Sequence, residues 1–547
     1  MSKRLISGWV LVLLLVVESS VNGQLMMADS SDMPALEWLV VDPIQDKMQG
    51  ISANKTYATL LKDKPSKKVV VAVIDSGVDI DHEDLQGKIW INTDEIEGNG
   101  IDDDKNGYVD DRYGWNFIGG KNGNVEQDTY ELTRIYKDLR AKYDGVDEKK
   151  VKKKNKDEYE FWLKVKKDFE PTQLKAQQQY DFYSNLQKNV VRFHNLLKAY
   201  LDVDKLTMDD LREIESQDST ILAARGIVGL IFQNVGPDAD FKAIAEELKE
   251  GVEYFGNQVN YAYNTEFDPR KYVNDDYDNL YEKGYGNNDV KGHDPSHGTH
   301  VAGIIAANRD NGLGINGIAD NAEIMVIRAV PDGDERDKDI ANAIIYAVDN
   351  GAQKENMSFG KSYSPQKEAV DKAVKYAESK GVLLVHAAGN SSKNIDMGKN
   401  FPTKRYSEKS IASNWLEIGA SSWGDDENFV GSFSNYGKET VDAFAPGVQI
   451  YSTTPDNNYK AYDGTSMAAP ATSGVAALLM SYFPDLSVKQ VKGIILKSSR
   501  KFDNLEVLKP GKDGKKVNFN ELSVTGGIIN AYKAVEMAQE VSVNQAN

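Results

Sequence analysis

The sequence predicts an α/β protein, a doubly wound parallel sheet with an inserted helical subdomain. Val69 to Ile74 is an unbroken, mostly β-branched apolar run ending at Asp75, Ser76 and Gly77, the pattern of a strand buried on both faces. Similar runs recur at Ile324 to Ile327 and Val382 to Val385, with helical patterns between them, as expected of parallel strands covered by helices. From Val125 to Tyr263 the texture changes: glycines become few, and Lys, Glu, Gln and Tyr accompany apolar residues at helical spacing. That stretch reads as the insertion.

Taken in order, Lys3 and Arg4 precede an apolar run from Ile6 to Val17, and Ser19 to Gly23 are small or polar. This is the pattern of a secretory signal peptide over 1–23, too short for the ~20 residues that span a bilayer. The expectation is an exported chain, periplasmic or secreted, that begins near Gln24 and carries an N-terminal extension over 24–68. No transmembrane segment is expected in the mature chain. The main body should comprise 69–124 and 264–540. Within it, Ile340, Ile344, Ala347 and Val348 mark one helix, and Val370, Ala373, Val374 and Ala377 another, which starts near Pro365 and stops at Gly381. Inside the insertion, 125–263, Tyr183, Leu186, Val190, Phe193 and Leu197 form one helical stripe.

The absence of cysteine excludes disulfides, thiolate metal sites and cysteine nucleophiles. A net charge of −19 repels phosphate backbones, so no nucleic-acid partner is expected. The one strong basic run, Lys149 to Lys156, is balanced by Asp157, Glu158 and Glu160, and reads as a solvated helix face.

Four segments carry chemistry. Asp75 follows a buried strand, where a carboxylate is fixed and partly desolvated, although a strand-end aspartate is also an ordinary turn residue. HGTHVAG, His297 to Gly303, opens a helix whose small residues permit close packing. The histidines at 293, 297 and 300 invite a metal reading, but Pro295 and Gly298 interrupt the turn that a helical zinc site needs. A general base is the better reading. Ser466, in YDGTSMAAP, opens a helix expected to run to about Tyr482; exposed N–H groups and the helix dipole there favour developing negative charge, whereas a plain N-cap serine is the bland alternative. Asn390, in AAGN, stands at a strand's carboxyl end, where its amide can donate to an oxyanion or simply make a turn.

Together VAVIDSGVDIDHEDL, HGTHVAG, AAGN and GTSMAAP resemble the aspartate, histidine, oxyanion and serine motifs of the subtilisin-like serine proteases, the subtilases. The order Asp, His, Ser agrees with that family and differs from chymotrypsin and the α/β-hydrolases. NMSFG, FSNYG, APG and GGIINAYKAV extend the likeness. The resemblance implies a subtilisin-like fold and a serine endopeptidase acting on protein or peptide substrates. By motif, Ser466 is the nucleophile, His297 the base, Asp75 its orienting carboxylate and Asn390 an oxyanion donor, with Ser358, Phe359, Gly360, Ala388 and Gly389 lining the substrate groove.

Departures from the family are informative. Lys354 and Glu355 stand before NMSFG, where relatives are normally apolar, and an unpaired buried charge costs several kcal/mol. Their presence motivates a competing reading, a catalytically silent member that binds peptides. The extension before Asp75 is too short for the usual folding propeptide, so the insertion is expected to cover or regulate the cleft. NGIDDDKNGYVDD places Asp102, Asp104 and Asn106 at alternate positions, then Gly107 and Asp110. This spacing suits a loop around calcium, although Tyr113 stands where an EF-hand has glutamate. Asp84 matches a calcium-ligating position of some subtilases, so structural calcium is the expected cofactor.

Overall fold

The computed structural model describes residues 36–546; the predicted signal segment and the start of the extension lie outside the described residues. The described residues form two compact units, Leu132–Phe267 and a main body made of 36–131 and 268–546.

In the main body nine strands form one sheet: β1 (Val69–Asp75), β2 (Gly114–Asn116), β3 (Ala322–Arg328), β4 (Lys354–Met357), β5 (Leu383–Ala387), β6 (Trp415–Ser421), β7 (Ala443–Pro446), β10 (Arg500–Lys501) and β11 (Gly527–Ile528), while β8 (Ile450–Thr454) and β9 (Asn458–Tyr462) form a separate hairpin. The spatial order is β10-β11-β7-β6-β5-β4-β1-β3-β2, with every pair parallel except the β10–β11 edge. The chain passes from β3 on one side of β1 to β4 on the other. Strand order therefore reverses at β1, and ligands of such sheets gather outside the carboxyl ends of the strands at that point. Asp75 is the last residue of β1.

Alternation along β1 sends Val71 and Val73 to one face and Ala72 and Ile74 to the other. Helices cover both faces, as the doubly wound expectation requires. Numbering the longer helices in chain order, α5 (Ser296–Ala306) and α8 (Thr465–Tyr482) share the first core, whereas α6 (Asp337–Asp349) and α7 (Lys367–Lys380) share the second. α7 ends at Gly381, which adopts the left-handed conformation at its C-cap. The described part of the extension belongs to this body: Trp38 is fully buried and donates through Nε1 to the carbonyls of Val448 and Gln449.

The second unit is helical, with α1 (Glu131–Tyr143) entering it, then α2 (Lys156–Leu201), α3 (Ser219–Val235) and α4 (Phe241–Asn257). Leu186, Val190, Phe193 and Leu197 of the predicted stripe are buried against Ile221, Val228 and Ile231 of α3 and Ile244 and Leu248 of α4, with Tyr183 at the margin. A second cluster joins Tyr136 and Phe169, stacked at 4.0 Å between ring centroids, to Tyr159 and Trp162. The basic run does not form a helix face. Its lysines are exposed: Lys149, Lys150, Lys153 and Lys154 on two short 3-10 turns, Glu148–Lys150 and Lys153–Asn155, Lys152 between them, and Lys156 as the first residue of α2.

Candidate active site

His297 is the second residue of α5, and its Nδ1 lies 2.7 Å from Oδ1 of Asp75. The approach depends on Gly298, because a Cβ there would sit 2.1 Å from the carbonyl oxygen of Gly77. Asp75 is 2 % exposed, and its Oδ1 also accepts from the N–H of Ser76. Burial pushes the His297 imidazole below its ordinary value of 6.5, but the charge and hydrogen bond of Asp75 outweigh burial and leave it raised.

His300, one turn along, is buried, and its Nε2 meets the carbonyls of Ile450 and Lys460 at 3.0 and 3.1 Å. A carbonyl only accepts, so Nε2 carries the proton. Burial drives the pKa of this ring down to about 3, leaving it a neutral strut between α5 and the β8–β9 hairpin. His293 is exposed, its Nδ1 3.9 Å from Glu126. The three histidines therefore do not converge on a metal.

The hairpin leads directly into α8, and α5 packs against α8. Tyr462, at the end of β9, stacks on His300 with centroids 4.5 Å apart and meets the side chain of Ser296, the neighbour of His297. Ser466 is the second residue of α8. Its hydroxyl donates to the carbonyl of Ser358 at 3.0 Å, while the Ser358 hydroxyl donates to the carbonyl of Ser466 at 3.0 Å. Asn390 accepts through Oδ1 from the N–H and hydroxyl of Thr465 at 2.9 and 2.8 Å. That pairing directs its amide nitrogen away from Thr465 and fixes which end can donate. Ala388 is fully buried. Gly389 has φ +97°, a conformation that favours glycine, and its N–H donates to the Thr465 hydroxyl at 3.0 Å. Thr465 thus ties the AAGN turn to the start of α8.

Ser358, Phe359 and Gly360 follow the end of β4. Within β4, Lys354 and Glu355 are fully buried, and the Lys354 Nζ and both Glu355 carboxylate oxygens have no hydrogen-bond partner. Burial alone lowers the Lys354 ammonium well below its ordinary range and raises the Glu355 carboxyl well above its own. Both ionisations are disfavoured without disturbing β4, which pairs in register with β1 and β5.

The acidic loop divides differently from the expected spacing. Asp102 caps backbone, accepting from the N–H groups of Asn106 and Gly107, and Asp110 does the same for Asn99 and Gly100. Asp104 also accepts from the N–H of Asn106 at 2.9 Å and in addition meets Glu95 and Asp111, with one carboxylate oxygen from each within 4.8 Å of the others. Asn106 donates to Asp104 and Asp111 through Nδ2, so it serves the cluster as a donor in this arrangement. Glu95 is 2 % exposed, yet its Oε2 has no partner, and burial lifts the Asp111 carboxyl to about 6. An orphaned buried oxygen among carboxylates fits a hard cation. Asp84 lies apart from this cluster, fully buried, accepting from the Asn311 amide at 2.7 Å and the Tyr459 hydroxyl at 3.3 Å.

Sequence reasoning did not single out Glu95, Asp111 or His386. Asp111 stood in the acidic run, but the signal for Glu95 is faint because loop folding, not spacing, brings it to Asp104.

A sequence profile described as the subtilase family matches residues 66–521. The chain is 41% identical over 217 residues to a thermophilic serine proteinase from Bacillus sp. (strain AK1), covering 38% of this chain and 49% of that protein. It is 39% identical over 200 residues to subtilisin DY from Bacillus licheniformis, covering 36% of this chain and 67% of that protein. Thermitase from Thermoactinomyces vulgaris is 39% identical over 186 residues, or 34% of this chain and 61% of its own length. The chain thus spans about half to two thirds of the length of these relatives.

Proposed function

The chain belongs to the subtilase family, and from that premise we propose that it is an exported, calcium-stabilised serine endopeptidase in which Asp75, His297 and Ser466 act together. The Ser466 hydroxyl turns from the Ser358 carbonyl towards Nε2 of His297 and attacks the scissile carbonyl as the imidazole takes its proton. Asp75 holds Nδ1–H and stabilises the imidazolium. The oxyanion is met by the Asn390 amide and the N–H of Ser466. His297 then protonates the leaving amine, and a water repeats the sequence on the acyl-enzyme. Removing one oxyanion donor typically costs on the order of 10² to 10³ in turnover. Peptide backbone adds along Ser358 to Gly360 as an extended strand.

The observation that carries this reading is the 2.7 Å contact between His297 and Asp75 at the switch point of the sheet. A fluorophosphonate probe tests it: the folded protein should be labelled at Ser466, and Ser466→Ala should lose both labelling and cleavage of a peptide library. Folded protein that binds peptides but resists labelling would point instead to a silent family member.

Export is supported by the pattern over 1–23, and a secreted product beginning near Gln24 on N-terminal sequencing would bear on it. Calcium would be held at Asp84 beside Asn311, and at Glu95, Asp104 and Asp111, where it would neutralise crowded carboxylates and brace the loop. Chelation should lower Tm, and Glu95→Gln should shrink that shift. A Tm indifferent to chelator removes both sites.

A further inference from the structure

We propose that His386 is a positioning residue of the substrate groove, fixing the backbone of Phe359 from the sheet face opposite Ser466. The inference rests on the peptidase reading above. His386 is fully buried on β5, opposite Met357 of β4 and Glu417 of β6 in the strand register. Its Nε2 lies 2.8 Å from the carbonyl oxygen of Phe359, and its Nδ1 lies 3.0 Å from Oε1 of Glu417. The other Glu417 oxygen accepts from the indole N–H of Trp415 at 2.8 Å.

Proton counting fixes the direction of these bonds. The Phe359 carbonyl only accepts, so Nε2 carries a hydrogen. The Nδ1 contact then needs a second proton, on the ring or on Glu417. In either arrangement Glu417 and Trp415 lock the orientation of the ring, and the ring in turn presents Nε2–H to Phe359.

The bond matters because of where β4 stops. Its paired register ends at Met357, so the next residues depend on other contacts. Ser358 is held from the α8 side by its reciprocal bonds with Ser466. Phe359 faces the second core, where His386 holds its carbonyl, and the two rings meet edge to face with centroids 6.2 Å apart. Successive residues of the groove segment are therefore clamped from opposite faces of the sheet. β5 also runs on into the AAGN turn that carries Asn390. One buried ring thus couples the groove to the strand that supplies the oxyanion donor.

The test compares kcat and KM for extended peptide substrates in wild type, His386→Gln and His386→Asn. A glutamine amide reaches the position of Nε2 and restores the donor to Phe359; the shorter asparagine reaches Glu417 but not Phe359. Loss of a net hydrogen bond in the groove should raise KM about tenfold in His386→Asn, with kcat changed less than about threefold and His386→Gln largely rescued. A normal peptide KM in His386→Asn overturns the proposal, as does equal damage in both variants. Should the variants fail to fold, nitrogen NMR of the wild-type ring decides: a protonated, exchange-protected Nε2 supports the proposal, and an unprotonated Nε2 overturns it. Absence of fluorophosphonate labelling in wild type would overturn the peptidase reading and the groove proposal with it, whereas labelling with a normal peptide KM in His386→Asn overturns the groove proposal alone.

Discussion

At the scale of one residue, His297 sits between two opposed forces. Burial favours its neutral form, and Asp75 at 2.7 Å favours its charged form and prevails. The raised folded value means that this pair stabilises the fold below the ordinary pKa of 6.5, a contribution lost as pH rises through the folded value. In the proposed mechanism activity has the opposite sign, because a base must be neutral to accept the serine proton. The rate of Ser466 labelling should therefore climb with pH along a limb centred above 6.5, and Asp75→Asn should move that limb to lower pH while slowing the reaction by orders of magnitude. A limb that stays in place in Asp75→Asn would show that the carboxylate does not set it. The positions proposed to act together, Asp75, His297 and Ser466, were legible in the sequence because each stands at a strand end or a helix start within its own short motif. His386 was not, because its partners, Phe359 just past the end of β4 and Glu417 on β6, are distant in sequence and leave no local pattern.

At the scale of an element, β4 shows that a strand position is set by pairing even where its composition argues against burial. Lys354 lies beside Val71 and Leu383, and Glu355 beside Ala72 and Leu384, so the two side chains enter opposite cores. Neither has a hydrogen-bond partner. Replacing Lys354 with Met should raise stability by about 1 to 3 kcal/mol, since it removes a group whose burial costs without return. The pH dependence separates the two. Folded Glu355 holds a proton that the unfolded chain releases above 4.5, so its contribution makes stability fall as pH rises from there towards its raised folded value. Lys354 lacks, when folded, a proton that the unfolded chain keeps up to 10.5, so its contribution rises with pH in the range below that value. Lys354→Met should expose the falling slope and Glu355→Gln the rising one in thermal melts across pH. Identical slopes in wild type and both variants would mean that neither burial persists in solution. β1 and β3 were legible as apolar runs because each is buried on both faces. β4 was not, since KEN offers no hydrophobic signal, and only the likeness of NMSFG to the family's motif pointed to a buried strand there.

At the scale of the whole molecule, the change of texture at Val125 comes before the helical unit begins at Leu132. The difference has a cause in the main body. Asp128 is held by Arg336 through two bonds of 2.7 and 3.0 Å, and Glu131 by Lys361 at 2.9 Å. The returning chain is caught by the same guanidinium, which reaches Asp268 at 3.5 Å. Both ends of the interruption are thus fixed by residues of the body itself, and Val125 and Val273 share one of its cores. The helical unit has apolar clusters of its own, as expected of a segment able to fold separately. Replacing 132–267 with a short Gly/Ser linker should leave a body that unfolds cooperatively and is still labelled at Ser466, because closing a short loop between fixed ends costs little entropy. The cleavage profile of that shortened protein on a peptide library then bears on why the unit is there. Cleavage at sites the full chain spares would support a unit that covers or regulates the cleft. An unchanged profile with unchanged rates would remove that role and leave the insertion as a passenger on the loop between the aspartate and histidine motifs.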